Sequence, residues 1–374
     1  MSPDHERHMT RAIALARRGP PTSPNPRVGS VLVKDGRVVA EGRHEGAGSP
    51  HAEIVALGET NPRGGTLYVN LEPCVHHGRT PPCAPVVADS GLAKVVVATG
   101  DPDPRVDGRG LRFLADHGVE VTTGVLASSA RRLNAAYFWR HGAGRPLVTV
   151  KLALTLDGRL AGSDRQSRWI TGPGARARVH RRRGEVDAVM VGAGTVLADD
   201  PELTARHTPR TARQPIAIVV DGAGRVPPEA RLFDRGAEVI VATTSNCPHD
   251  VQTAFKERGA EVLVVPSETA RVDLDRLLDD LGRRGLLEIY CEGGAELATS
   301  LLRDKLVDRL ELFYGSVLVG RGGPDIGDLG LPGLEEAPRW ELVESDREEN
   351  DAFVVLESAE LFALMESPNE MGGT

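Results

Sequence analysis

The stretch Leu71-Glu72-Pro73-Cys74-Val75-His76-His77-Gly78-Arg79-Thr80-Pro81-Pro82-Cys83 leaves a strand running from Thr66 to Leu71 and carries two cysteines, each preceded by a proline, with eight residues between them. Upstream, Ser49-Pro50-His51-Ala52-Glu53 reads as a helix start. Ser49 is a capping side chain, Pro50 suits the first helical position, and His51 and Glu53 fall in the first turns. One imidazole and two thiolates make a three-ligand set suited to zinc, which accepts mixed nitrogen and sulfur ligation and keeps a fourth position open to water. Glu53, two residues from a ligand and not itself one, is placed to shuttle a proton to and from that water. Taken singly, a His-x-Glu pair is ordinary at a helix end and two cysteines are ordinary in a core. Together, with strand-then-helix context on both sides, they read as a metal site. A saturated structural zinc, with His44, His76 or His77 as fourth ligand, is the second reading.

Outward from this stretch the first third alternates helix and strand. His5 to Arg18 spaces Met9, Ala12, Ile13 and Ala16 helically and stops at Gly19-Pro20-Pro21. Val28 to Val33 and Val38 to Glu41 flank Lys34-Asp35-Gly36-Arg37, an Asp-Gly hairpin turn. Strands at Lys94 to Thr99 and Val119 to Thr123, a helix at Leu111 to Asp116 and one helix from Ser128 to Trp139 complete a layered α/β domain. The Gly/Pro cluster from His141 to Pro146 is the boundary, giving domains 1–144 and 145–358 and a flexible tail 359–374. The second domain runs through strands at Leu147 to Leu154, Ala188 to Val191, Ile216 to Val220, Val239 to Ala242, Val262 to Val265, Leu287 to Cys291 and Leu310 to Val319. Helices at Gly174 to Arg183, Asp250 to Arg258 and Leu274 to Leu281 separate them, so the sheet is mainly parallel.

Composition narrows the partners. The 374 residues leave room for two or three domains, and 26 % charged with 40 % hydrophobic residues is an ordinary globular balance. A formal charge of −8 argues against nucleic acid and anionic lipid, leaving small molecules. The first residues lack the basic-then-apolar pattern of a secretory signal, and no apolar run approaches the roughly 18 residues of a membrane span, so a cytoplasmic protein is expected. Four cysteines in this length do not make a disulfide scaffold. Among 45 basic residues only five are lysines, so the run Arg181-Arg182-Arg183 by itself points to nothing.

In the second domain Val191-Gly192-Ala193-Gly194-Thr195 and Glu292-Gly293-Gly294-Ala295-Glu296-Leu297 each follow a strand, where glycine lets backbone N–H groups approach a phosphate. The full Gly-x-Gly-x-x-Gly fingerprint is absent. Trp169 can stack, and Arg183 and Arg206 can hold phosphate.

His51-Ala52-Glu53 and the cysteine stretch, with Asn25-Pro26-Arg27-Val28-Gly29, closely resemble the deaminase half of the bifunctional riboflavin-biosynthesis deaminase/reductase family; the long spacer between the cysteines is part of that likeness. Lys151-Leu152-Ala153-Leu154-Thr155-Leu156-Asp157-Gly158-Arg159, Ser167-Arg168-Trp169-Ile170-Thr171 and Thr195-Val196-Leu197-Ala198-Asp199-Asp200-Pro201 resemble its reductase half. The resemblance spans nearly the whole chain. It implies a cytidine-deaminase-like α/β/α layer domain followed by a dihydrofolate-reductase-like α/β domain. It further implies zinc on His51, Cys74 and Cys83, Glu53 as proton shuttle, and substrate contacts from Asn25, His44, His76 and Arg79. In the second half it implies NADPH against Ala153, Trp169, Thr195, Asp199 and Gly294, Ala295, Glu296, Leu297 and Ala298, with substrate against Ser167, Arg183, Leu203, Arg206 and Glu292. Thr155 departs from the serine the family leads one to expect. The implied activity is hydrolytic deamination of 2,5-diamino-6-ribosylamino-4(3H)-pyrimidinone 5′-phosphate followed by NADPH-dependent reduction of ribosyl to ribityl, in a homo-oligomer. The rival reading is a nucleoside or tRNA deaminase with a nucleotide-binding second domain.

Overall fold

The computed structural model describes residues 3–19, 21–58, 60–164, 169–206, 213–267 and 269–367. The chain divides into two units, Met1–Ala143 with Ala363–Thr374, and Gly144–Phe362.

The first unit contains α1 (Pro3–Arg18), β1 (Gly29–Lys34), β2 (Arg37–Arg43), α2 (Ala52–Gly58), β3 (Thr66–Val69), α3 (Cys83–Asp89), β4 (Lys94–Val97), α4 (Arg109–Asp116), β5 (Glu120–Thr123), α5 (Ala127–Leu133) and α6 (Ala135–Ala143). Its sheet has the order β2-β1-β3-β4-β5, antiparallel across β1 and parallel from β3 to β5. The apolar stripe of α1, including Met9, Ala12 and Ile13, is buried on this sheet. Gly29 permits that packing: a Cβ there would lie 2.3 Å from the Ala12 carbonyl oxygen. Asp35 and Gly36, at φ of 50° and 72°, make the tight turn between β1 and β2.

Two expectations change here. The helix near His51 starts at Ala52, because the Ser49 hydroxyl bonds the Gly46 carbonyl instead of capping; His51 precedes the helix, and its carbonyl accepts the Val55 N–H. The single helix from Ser128 to Trp139 is two, broken at Asn134. The Asn134 amide accepts from Arg27 N at 2.7 Å and donates to Arg27 O at 3.0 Å, a long-range demand on its side chain that periodicity does not reveal.

The second unit contains β6 (Leu147–Leu154), α7 (Pro173–Arg183), β7 (Ala188–Gly192), α8 (Ala193–Asp199), β8 (Ile216–Val220), β9 (Val239–Thr243), α9 (His249–Glu257), β10 (Glu261–Val264), α10 (Leu274–Arg283), β11 (Glu288–Cys291), α11 (Ala295–Arg303), β12 (Arg309–Tyr314), β13 (Trp340–Glu348) and β14 (Asp351–Ser358). They form one sheet in the order β10-β9-β8-β7-β11-β6-β12-β14-β13. It is parallel as far as β12 and antiparallel beyond. Alternate residues of one strand, such as Ala188 and Met190 against Val189 and Val191, enter separate cores on the two faces, so central strands such as β7, β8 and β9 are nearly all apolar. From β7 the order runs outward through β8 to β10 while β11 and β6 lie on its other side. Crevices at the carboxyl ends of such a switch are where α/β sheets bind ligands.

The strand expected to reach Val319 ends at Tyr314, and the hairpin of β13 and β14 had no signal in the pattern. β13 is an edge strand whose acidic residues face Arg178, which pairs with Glu344, Asp346 and Glu348 and stacks 3.7 Å from the Phe353 ring centroid. The tail expected from residue 359 contains α12 (Ala359–Glu366), with Leu361 and Met365 fully buried; residues 368–374 lie outside the described residues. Among the described residues no helix is long and apolar enough to cross a membrane.

Candidate active sites

In the first unit, α2 is pinned to the sheet by Ser30, whose hydroxyl donates to the Ala52 carbonyl at 2.6 Å, and by Gly42, where a Cβ would lie 2.0 Å from the same oxygen. This fixes His51 at the helix entrance, while the segment after β3 brings Cys74 and the start of α3 brings Cys83. His51 Nδ1 lies 2.9 Å from Cys83 Sγ and 3.6 Å from Cys74 Sγ, and the three ligand atoms fall within 4.8 Å of one another. Among the described residues no fourth His, Cys, Asp or Glu joins this group, whose three donors are the imidazole and two thiols that zinc accepts. Cys83 N–H, at the N-terminus of α3, donates to Cys74 Sγ at 3.4 Å. The Cys83 thiol and His51 both hydrogen-bond toward Cys74 and lower its pKa, favouring a thiolate between them.

Glu53 is 3 % exposed, and its Oε2 has no hydrogen-bond partner. Burial pushes its carboxyl up to about 7. A buried, unpartnered carboxyl beside an imidazole and two sulfurs is what a metal-activated water would satisfy, and the donor set suits zinc.

His44 lies edge-on to His51, ring centroids 5.2 Å apart. Its Nδ1 is 3.2 Å from the Pro50 carbonyl, which can only accept, so Nε2 accepts from the Asn25 amide at 3.0 Å; burial lowers the His44 pKa and keeps this neutral form. Asn25 and His44 are thus joined beside the metal ligands. His76 and Arg79 occupy the loop between the cysteines, His76 with a buried, unpartnered Nδ1 and Arg79 exposed.

Two residues gain roles that sequence reasoning did not assign. Thr80 Oγ1 is 3.0 Å from His51 Nε2; with Nδ1 facing the sulfurs, Nε2 carries the proton and donates it, which orients the ring. Buried Glu72 accepts from the N–H groups of Asp101, Gly108, Gly110 and Leu111, tying the entry of α4 to the strand that delivers Cys74. Thr80 was visible only as a hydroxyl near Cys83, and Glu72 had no local signal.

In the second unit a cavity of about 630 Å³ is lined by Lys151, Ala153, Trp169, Arg183, Thr195, Asp199, Leu203, Arg206, Glu292 and Gly294, among others. A second, of about 870 Å³, shares Thr195, Asp199 and Gly294 with it and continues past Ala295, Glu296 and Leu297. The two glycine motifs meet there: Gly294 N–H donates to Thr195 Oγ1 at 3.1 Å, linking the entrances of α8 and α11. A Cβ on Gly293 would come within 2.8 Å of Leu297 Cδ2, so glycine lets α11 close on this turn. Such a paired cavity, long and lined by helix entrances, fits a dinucleotide beside a second ligand.

Arg183 and Glu292 do not stand apart. Arg183 Nε and Nη2 donate to the two Glu292 oxygens at 2.6 and 2.9 Å, and Nη1 donates to the Thr204 carbonyl. Burial pushes Glu292 up and the Arg183 guanidinium more than reverses it, so the carboxylate stays ionised. Arg182 turns inward to Glu288 and Glu311, so two of the three arginines of the run Arg181-Arg182-Arg183 are half-buried ion-pair partners. Arg206 is exposed, 3.8 Å from Glu202. Leu203 is buried at φ 55°, a strained conformation in the loop after α8. Ala298 is placed in the core with its N–H bonded to Gly294 O, and it lines neither cavity; α11 turns that residue inward. Ser167 lies outside the described residues.

Fold and sites define a zinc-dependent hydrolytic deaminase joined to a dinucleotide-dependent reductase. Residues 2–99 match the cytidine and deoxycytidylate deaminase zinc-binding region, and residues 146–354 match the RibD C-terminal domain. The riboflavin biosynthesis protein RibD of Escherichia coli strain K12 is 40 % identical over 91 % of this chain and 95 % of its own length. That of Haemophilus influenzae is 39 % identical over 91 % and 93 %. The crystal structure of the Thermotoga maritima diaminohydroxyphosphoribosylaminopyrimidine deaminase/5-amino-6-(5-phosphoribosylamino)uracil reductase matches at a TM-score of 0.85 and 34 % identity, covering 95 % of this chain and 99 % of that one. The chain belongs to the RibD family, the bifunctional deaminase and NADPH-dependent reductase enzymes of riboflavin biosynthesis.

Proposed function

We propose that residues 1–144 hydrolyse the exocyclic amine of 2,5-diamino-6-ribosylamino-4(3H)-pyrimidinone 5′-phosphate and that residues 145–358 then reduce the ribosyl group to ribityl. The observation that carries the first step is buried Glu53 beside the cluster of His51, Cys74 and Cys83. Zinc on those three ligands supplies Lewis acidity and an acidified water. Glu53 would take a proton at Oε2 from the attacking water and return it to the departing amine, its burial raising the affinity of the carboxyl for the proton it carries between them. Asn25 and neutral His44 orient the pyrimidine, with His76 and Arg79 toward the ribose phosphate.

For the second step NADPH supplies the hydride. Thr195, Asp199 and Gly294, shared by both cavities, mark where cofactor and substrate meet, with Ala153, Trp169, Ala295, Glu296 and Leu297 on the cofactor. Arg206 and Arg183 face the phosphate, Leu203 and Glu292 the substrate, and the second unit's residues position the reactants without a metal. The reading is of a cytoplasmic homo-oligomer acting on small molecules, and the net charge of −8 supports that partner class.

Mass spectrometry of the purified protein with this substrate and NADPH tests the reading. Amino-to-oxo exchange followed by addition of two hydrogens is expected. Exchange without hydrogen addition would overturn the second assignment, and no reaction of zinc-loaded protein would overturn the first.

A further inference from the structure

Trp169 is 69 % exposed, an unusual setting for an indole on the wall of a cavity. The backbone that carries it is held closely. A Cβ on Gly315 would lie 1.8 Å from the Ile170 carbonyl oxygen, and Gly172 N–H donates to Asp351 Oδ2 at 2.6 Å. The indole itself sits over Arg176, on the first turn of α7, with the guanidinium carbon 4.3 Å from the ring centroid. Arg176 Nη1 also donates to the Thr171 carbonyl at 2.7 Å, so the cation is fixed from below while it stacks above. A planar guanidinium held this way selects one plane for the indole, which a flexible ammonium does less well.

We propose that Arg176 is a positioning residue for the reductase cofactor: stacked on Trp169 and tied to Thr171, it sets the plane of the indole that faces NADPH. The inference rests on the placement of Trp169 against NADPH proposed above. The stacking would restrict the two side-chain torsions of the indole before the cofactor arrives, which lowers the entropy lost on binding.

The test is a double-mutant cycle in the full-length protein, read as equilibrium NADPH affinity from cofactor fluorescence without pyrimidine substrate. Arg176→Leu is expected to weaken NADPH roughly 3- to 10-fold in the native background and by less than about 1.5-fold when Trp169 is leucine. Arg176→Lys, which keeps a cation over the ring, is expected to recover part of that loss, and thermal unfolding of each variant separates positioning from stability. If Trp169→Leu alone leaves NADPH affinity unchanged, the placement of Trp169 fails and the inference with it. If Trp169→Leu weakens NADPH but the Arg176→Leu effect is the same in both backgrounds, the placement stands and the inference is overturned. A change confined to the Michaelis constant for the pyrimidine phosphate also overturns it, assigning Arg176 to the substrate instead.

Discussion

Glu53 and Thr80 bear on the same imidazole-thiolate cluster through different physics, and substitution separates them. Glu53→Gln keeps the shape and the metal ligands but cannot move a proton. Ammonia release should fall roughly 10²- to 10⁴-fold with zinc content unchanged, measured by coupled assay and metal analysis. Thr80→Val removes only the acceptor that orients His51, so zinc affinity should fall roughly 10- to 100-fold in a chelator competition. Asp101, buried and bonded to the Tyr137 hydroxyl at 2.9 Å, predicts a pH effect. Burial pushes its carboxyl up to about 7. A group with its pKa raised in the fold binds its proton more tightly folded than unfolded, so its contribution is fully present below about 4 and is lost as pH rises through 7. Relative to Asp101→Asn, the native protein should lose up to about 4 kcal/mol between pH 4 and 8, followed by thermal or urea unfolding across that range. At this scale the sequence was most informative about the metal ligands, since His, Cys and Glu carry their chemistry in their identity. It was silent on Glu72, whose partners Asp101, Gly108, Gly110 and Leu111 are more than 25 residues away along the chain and meet it only in the fold.

The elements show the same division. α4 approaches the cysteine segment so closely that a Cβ on Gly110 would lie 2.0 Å from the Pro73 carbonyl oxygen. Gly110→Ala should force helix and strand apart, lowering the stability of the first unit by roughly 1–3 kcal/mol and loosening zinc, as read by denaturation and metal content. β6 was legible to the residue, because burial on both faces leaves a mostly apolar run, broken only by Thr149 and Lys151. The break at Asn134 and the edge strand β13 were not, since one depends on a hydrogen bond to Arg27 and the other is polar wherever it faces Arg178 or solvent.

For the molecule as a whole, the C-terminal segment belongs to the first unit. Arg131, 5 % exposed, donates to the carbonyls of Met365 and Ser367, and Glu366 accepts from Ser128 and Arg132. Ending the chain after Phe362 would leave a buried guanidinium without these acceptors. Such a protein should lose stability and zinc retention in the first unit while keeping NADPH binding in the second, measured by calorimetry with metal analysis and cofactor titration. What the sequence alone determined is which residues carry chemistry, the cluster of His51, Cys74 and Cys83 with the Glu53 carboxyl beside it and the glycine turns of the second half, because these reside in residue type and local spacing. Tertiary structure alone decided how each group is held, pairing Arg183 with Glu292, turning Ala298 into the core, setting Arg176 over Trp169 and anchoring the C-terminal helix. Those relations join residues distant along the chain, and hydrogen-bond and packing geometry exist only once the chain has closed on itself.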